Sequence, residues 1–195
     1  MRVRRMARKS RSILWVRRAP GARHRGTLAF AGHIFPCALG RSGIVGGKRE
    51  GDGATPVGAL ALVEVLYRAN RVHAPRTRLP VRAIRPDDGW CDAPADRNYN
   101  RPVRLPYAAS HEAMARADGL YDIVVVLDWN FHRRAKGRGS AIFLHIARPG
   151  FLPTEGCVAV TPAVMRFLLA HLGTGAVIDT RPGFRVAAPD RSCRA

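Results

Sequence analysis

The first 49 residues contain neither aspartate nor glutamate; Glu50 is the first acid in the chain. Thirteen Lys and Arg residues lie between Arg2 and Arg49, so the net charge of +19 is weighted toward one end. From Glu50 onward, 20 basic residues face 14 acidic ones, a moderate excess. Such a chain is drawn to polyanions at low salt, whether nucleic acid, an anionic membrane face or an anionic wall polymer. Aromatic residues are scarce at 7%, and no helix-turn-helix, zinc-finger or RNA-recognition signature appears. No specific nucleic-acid partner is therefore expected.

Long apolar runs are also lacking. The run Ile123–Leu127 suits a buried strand and falls far short of the roughly 18 residues of a membrane-spanning helix, so no transmembrane segment is expected. The apolar piece at residues 13–16 is closed by Arg17 and Arg18, too soon for a secretory core, and no signal peptide is visible in the chain. Cysteines are few (Cys37, Cys91, Cys157 and Cys193), with neither CxxC pairing nor zinc spacing. Neither a metal, a cofactor nor a disulfide framework is expected from them.

What is present is a globular composition, 47% apolar over 195 residues, enough for one domain with a real core. Residues 1–11 read as a basic disordered arm, 12–182 as the folded domain and 183–195 as a tail. Strands are expected at residues 12–16 and 27–31, joined through the turn-forming Pro20-Gly21-Ala22-Arg23, and at 60–66, 123–127, 141–146, 157–160 and 176–179. The glycine-rich residues 40–58 read as a long ordered loop, and residues 76–106 as a loop region. Ser110 is expected to cap a short helix ending before Gly119. Thr161-Pro162 opens a second helix, with Val164, Phe167, Leu168 and Leu172 on one face and Gly173 ending it. The expected class is α+β, dominated by β, with no internal repeat.

One segment carries chemistry. His145 ends an expected buried strand, a loop bounded by proline and glycine follows, and Cys157 comes directly after Gly156. A thiol is only slightly ionised at neutral pH, and a nearby imidazole can take its proton. The glycine permits a tight turn and frees the next N–H to bind an oxyanion. A buried cysteine beside an unrelated histidine has the same spacing, and spacing alone does not separate the two.

Thr154-Glu155-Gly156-Cys157-Val158 resembles the Ser/Thr-x-Gly-Cys-Val/Ile signature of the L,D-transpeptidase catalytic domain (YkuD-like), with His145 where that family has its strand histidine. Lys48-Arg49-Glu50-Gly51-Asp52-Gly53-Ala54-Thr55-Pro56-Val57-Gly58 is similar to the family's Gly- and Thr-Pro-containing segment. Trp90-Cys91-Asp92, Asn98-Tyr99-Asn100 and Tyr121-Asp122 are similar to further elements of it. The resemblance covers roughly residues 12–180. It implies a single-domain β-sandwich with short helices, a peptidoglycan stem-peptide substrate and a place in the periplasm or cell envelope. Cys157 would attack the bond between a diamino acid and D-alanine, His145 would act as base and then acid, and transfer to an amine would form a 3–3 cross-link. Gly156 and the Cys157 N–H would serve the oxyanion, and Thr154 would order the loop or touch substrate. The chain departs from the pattern at Ala159, where many members have arginine, and at Ile146, where a glycine usually follows the histidine. An L,D-carboxypeptidase or amidase using the same thiol is the alternative, and a basic nucleic-acid-binding protein the more distant one.

Other signals fail. Gly47-Lys48 lacks both the upstream glycine (Ser42) and the following hydroxyl residue (Arg49) of a phosphate loop, and His111-Glu112 has Ala115 where a zinc peptidase needs histidine. Cys37 reads as packing and Cys91 as structural, with Cys193 a free thiol in the tail. His33, His73 and His132 have no partner at informative spacing, and His171 reads as a core-edge residue.

Overall fold

The computed structural model describes residues 12–183; the arm assigned to residues 1–11, Cys193 and the tail beyond Gly183 lie outside the described residues. Strand β1 (Ile13–Arg18) turns through Gly21, at φ +90°, into the antiparallel β2 (Arg25–Phe30), with Trp15 opposite Ala29. Next come β3 (His33–Ala38) and the two-residue β4 (Ile44–Val45) and β5 (Thr55–Pro56), then the long β6 (Ala59–Tyr67). Three short strands follow, β7 (Val81–Ala83), β8 (Asp88–Cys91) and β9 (Arg101–Arg104), and then β10 (His111–Ala113). The chain continues through β11 (Ile123–Leu127), β12 (Phe143–Ile146), β13 (Val158–Val160), helix α1 (Pro162–His171) and β14 (Val177–Asp179).

The strands run in the order β11-β12-β13-β3-β2-β1-β14-β6, and β6 pairs back onto β11. The expected β-sandwich is therefore overturned: the protein is β-dominated, but its strands close into an eight-stranded barrel with one α-helix among the described residues. Two features explain the difference. Strand β6 is nine residues long, so it pairs with β14 through residues 59–61 and with β11 through residues 62–67. A single strand thus joins both ends of the sheet and removes its edges. Strand β3 is additional to the expected strands; it tolerates Pro36 because β3 meets β13 only at Ala38, opposite Ala159, so a missing N–H along the rest of that edge breaks no ladder.

Inside the barrel, Leu14, Val16, Leu28, Val65, Val125, Leu144 and Val158 form one continuous cluster. Helix α1 packs into the same cluster. Thr161 caps it by accepting from the Val164 N–H at 3.3 Å, and its buried face is Met165, Leu168 and Leu169 rather than the expected Val164 and Phe167, which are only partly buried.

Outside the barrel wall lies a second layer. Residues 76–106, read from sequence as loop, hold β7, β8 and β9, and the helix expected after Ser110 is instead β10. Strands β10-β8-β9 form a small antiparallel sheet with Glu112 opposite Trp90 and Trp90 opposite Pro102. Trp90 and Met114 bury themselves against Val124, Val126 and Phe143 on the outer face of β11 and β12. Strands of three or four residues carry too little alternation to be read locally; their partners across the sheet define them.

Leu168→Ala removes a side chain with no exposed surface, so it should destabilise the fold by about 2–5 kcal/mol. Arg166→Ala, on the exposed face of the same helix, should stay within about 0.5 kcal/mol. Urea denaturation midpoints of the two variants test whether α1 is an integral part of the barrel core.

Candidate active site

Strand β12 alternates about the barrel wall: Leu144 and Ile146 enter the interior cluster, while Phe143 joins the outer one. His145, two residues beyond Phe143, shares its outward face. Strand β13 runs parallel to β12, with Leu144 opposite Val158, and Cys157 enters the outer cluster one residue before β13 begins. His145 and Cys157 both line one cavity of about 90 Å³, together with Glu112, Arg116, Tyr121, Arg148 and Thr154. Only 5% of His145 and 7% of Cys157 is exposed, so the cavity admits a reacting group while most of both side chains stays dry.

The thiol is held by backbone. Cys157 Sγ donates to the Ala141 carbonyl at 3.2 Å and accepts from the Phe143 N–H at 3.3 Å. A sulfur that donates to a carbonyl carries its proton. Burial pushes this thiol up to about 12; the charge of Glu112 adds to the shift, while the Phe143 N–H, Lys48 and Arg116 oppose it. The imidazole is also uncharged: burial lowers His145 to about 4. Its Nδ1 lies 2.8 Å from the Ile146 carbonyl, which can only accept, so Nδ1 carries the proton and Nε2 is a free base. The resting pair is a neutral thiol and a neutral imidazole.

Gly156 and Thr154 shape the turn before the sulfur. Gly156 has φ +137°, and a Cβ there would stand 2.8 Å from the Ala54 carbonyl oxygen, so only glycine fits. Thr154 Oγ1 accepts from the Gly156 N–H at 3.2 Å and donates to the Cys157 carbonyl at 2.7 Å. Thr55 Oγ1 reaches that same carbonyl at 3.5 Å and accepts from the Gly40 N–H at 2.9 Å. With the Cys157 carbonyl fixed, its N–H makes no hydrogen bond among the described residues and is free for a ligand oxygen.

The other segments singled out in the sequence support this centre. Asp52 accepts from the Arg49 and Ala54 N–H groups at 2.7 and 2.8 Å and from the buried Lys48 ammonium, which sets the loop before Thr55. Asn100 Oδ1 accepts from Trp90 Nε1 at 3.0 Å and from the Ala141 N–H at 3.1 Å. It thereby steadies Ala141, whose φ is +51°, and with it the carbonyl that accepts the thiol hydrogen bond. Glu50 accepts from Tyr99 and, at 2.8 Å, from Ser140. Tyr121 donates to Glu112 and meets the His145 ring edge-on at 5.5 Å. Cys37 lies in the barrel core and Cys91 is buried in β8; neither lines the cavity.

A family model for the L,D-transpeptidase catalytic domain (YkuD) matches residues 22–180. The chain belongs to that family. Searches among curated proteins and among solved structures return no match. The family is one of L,D-transpeptidase-type enzymes, associated with the cell envelope and with peptidoglycan peptides.

Against the L,D-transpeptidase pattern, Ala159 is wholly buried beside β12 and β3 and does not line the cavity. The cations there are Arg116 and Arg148 instead. These two residues and Glu112 were not expected at the site. Glu112 and Arg116 carry no local signal because β10 and the loop after it reach β12 only in the folded chain, whereas Arg148 follows β12 by two residues.

Two outcomes follow. Because the thiol is pushed up, its ionised fraction rises about tenfold per pH unit across the neutral and mildly alkaline range. Alkylation of Cys157 by iodoacetamide, followed by peptide mass spectrometry, should therefore climb with pH without a plateau near neutrality, and should be slower at about pH 8 than in the urea-unfolded chain. Separately, Gly156→Ala should cost about 1–3 kcal/mol of stability and displace the sulfur. A variant with unchanged melting temperature and unchanged thiol reactivity would refute the need for glycine.

Proposed function

We propose that this chain is a cysteine-dependent L,D-transpeptidase acting on peptidoglycan stem peptides. The observation that carries the reading is a buried thiol and a free imidazole base on one cavity, beside a backbone N–H without a partner among the described residues. Cys157 Sγ loses its proton to His145 Nε2 and attacks the carbonyl joining the diamino acid to D-alanine. The developing oxyanion is met by the Cys157 N–H, held in place through Thr154 and Gly156. The imidazolium then gives its proton to the departing amine, leaving a thioester. Attack by an amine of a second stem peptide forms the 3–3 cross-link; attack by water would make the same centre a carboxypeptidase.

The neutral resting pair fits this sequence of steps. A buried imidazolium–thiolate pair would need two charges kept dry before substrate arrives. Here the charges arise only once an oxyanion and a leaving amine are present to take them up.

Intact mass spectrometry after exposure to a carbapenem, which acylates enzymes of this family, tests the reading directly. The expected result is one adduct, localised to Cys157, lost in Cys157→Ala and retained in Cys37→Ala. His145→Ala should slow its formation by about 100-fold or more near neutral pH. An unmodified wild-type protein, or full turnover of a stem tetrapeptide by Cys157→Ala, would overturn the assignment. The ratio of cross-linked to hydrolysed product from that tetrapeptide separates transfer from carboxypeptidase activity.

A further inference from the structure

Acyl transfer to an amine has a proton problem that the cysteine–histidine pair does not solve. An alkylamine enters as an ammonium ion and must shed one proton before its nitrogen can attack, then a second as the C–N bond forms. His145 Nδ1 is committed to the Ile146 carbonyl, so the imidazole has a single free position, Nε2. That position can handle one of the two protons. The other needs a separate base in the same cavity.

Glu112 has the position for it. Pairing of β10 with β8 places Glu112 opposite Trp90, and its side chain lines the cavity that holds Cys157 and His145. Oε2 accepts from the Tyr121 hydroxyl, while Oε1 takes no hydrogen bond among the described residues. Nor does an ion pair engage it among the described residues. Arg116, which faces Glu112, is committed to Asp118 through contacts of 2.6 to 3.2 Å. The other carboxylate on the cavity, Glu155, is largely exposed and paired with Arg41. A half-buried carboxylate with one oxygen accepting from Tyr121 and the other open to the cavity attracts a cation with N–H donors.

We propose that Glu112 binds the ammonium of the incoming acyl acceptor and takes its first proton. This rests on the Cys157 thioester described above. In the transfer step, the acceptor R–NH3+ gives one proton to the Glu112 carboxylate, and the freed nitrogen lone pair attacks the thioester carbonyl. The C–N bond forms, the C–S bond breaks, and the second proton passes through His145 Nε2 to the departing sulfur. The products are an amide, the Cys157 thiol and a neutral Glu112, which returns its proton to solvent.

The electrostatics of the cavity agree with this order. Burial raises the Glu112 carboxyl, opposed by the Tyr121 hydrogen bond and by Arg116, and reinforced by Asp92 and Glu50. Negative charge on Glu112 and on the Cys157 sulfur disfavour one another. Glu112 is thus most easily neutral while the sulfur is a nucleophile, and most easily ionised once the sulfur is acylated and uncharged, which is when a base for the acceptor is required.

The test uses the full chain, a stem tetrapeptide donor, and two acceptors: ethylamine, which is cationic near neutral pH, and hydroxylamine, which is largely neutral there. Glu112→Gln keeps an oxygen for the Tyr121 hydroxyl to donate to. The acyl adduct on Cys157 should form at least as fast in this variant as in the wild type. Transfer to ethylamine should fall about 100-fold or more, whereas transfer to hydroxylamine should stay within about threefold. Glu112→Asp should recover part of the ethylamine activity. Equal loss with both acceptors would reduce Glu112 to a structural residue, and no loss with either would remove it from the reaction; both overturn the proposal. Absence of any acyl adduct on the wild-type protein would instead refute the cysteine reading itself, and the role of Glu112 with it.

Discussion

Strand β12 is buried on both faces, and the site depends on that double burial. Leu144 and Ile146 anchor it to the barrel interior, while Phe143 and His145 stand on the outer side. Anchoring on one side makes the other side rigid, because each side chain's direction is set by the pleat and the inner residues cannot move without opening a cavity. The parallel partner β13 extends the same arrangement to the sulfur. Val158 is locked inside, so Cys157, one residue earlier, is delivered outward beside Phe143 and Ala141.

A barrel wall alone would leave the histidine and the thiol in water. The small β8–β10 sheet excludes it by burying Trp90 and Met114 against the wall, and the same sheet carries Glu112 into the cavity. Low dielectric then decides the protonation states. The thiol is pushed up to about 12 and the imidazole down to about 4, so neither is charged at neutral pH. Burial that suppresses charge on the resting pair would also strengthen each interaction with charge developing in the proposed acyl transfer.

The centre is steadied by a polar frame built from segments remote in sequence. Asp52 sets the loop that carries Thr55, Thr55 and Thr154 converge on the Cys157 carbonyl, and Asn100 holds Ala141 from the opposite side. These residues occupy the motifs by which the sequence resembled its family. Their shared property is a side-chain oxygen that pairs a backbone group of the frame, buried at Thr55, Thr154 and Asn100 and part-buried at Asp52. Glycines 40 and 156 belong to the same frame: a Cβ on Gly40 would lie 2.3 Å from the Gly53 carbonyl oxygen, and one on Gly156 would press on Ala54.

Local signals were sufficient wherever the physics is local. The apolar run Ile123–Leu127, the turn at Gly21, and the cap and proline that open α1 can each be read from a few adjacent residues. The family resemblance rested likewise on short motifs, and the match over residues 22–180 bears that recognition out. The barrel was not legible, because closure depends on β6 sharing its length between two partners and on β3 tolerating Pro36 at a lightly paired edge. Strands β8 to β10 were missed for the same reason. The sequence by itself determined which residues could do chemistry and where its regular elements begin. Tertiary structure alone decided which of them share a cavity, how buried the thiol and imidazole are, and that Glu112 and Arg116 belong there, since proximity and desolvation arise only when distant segments pack together.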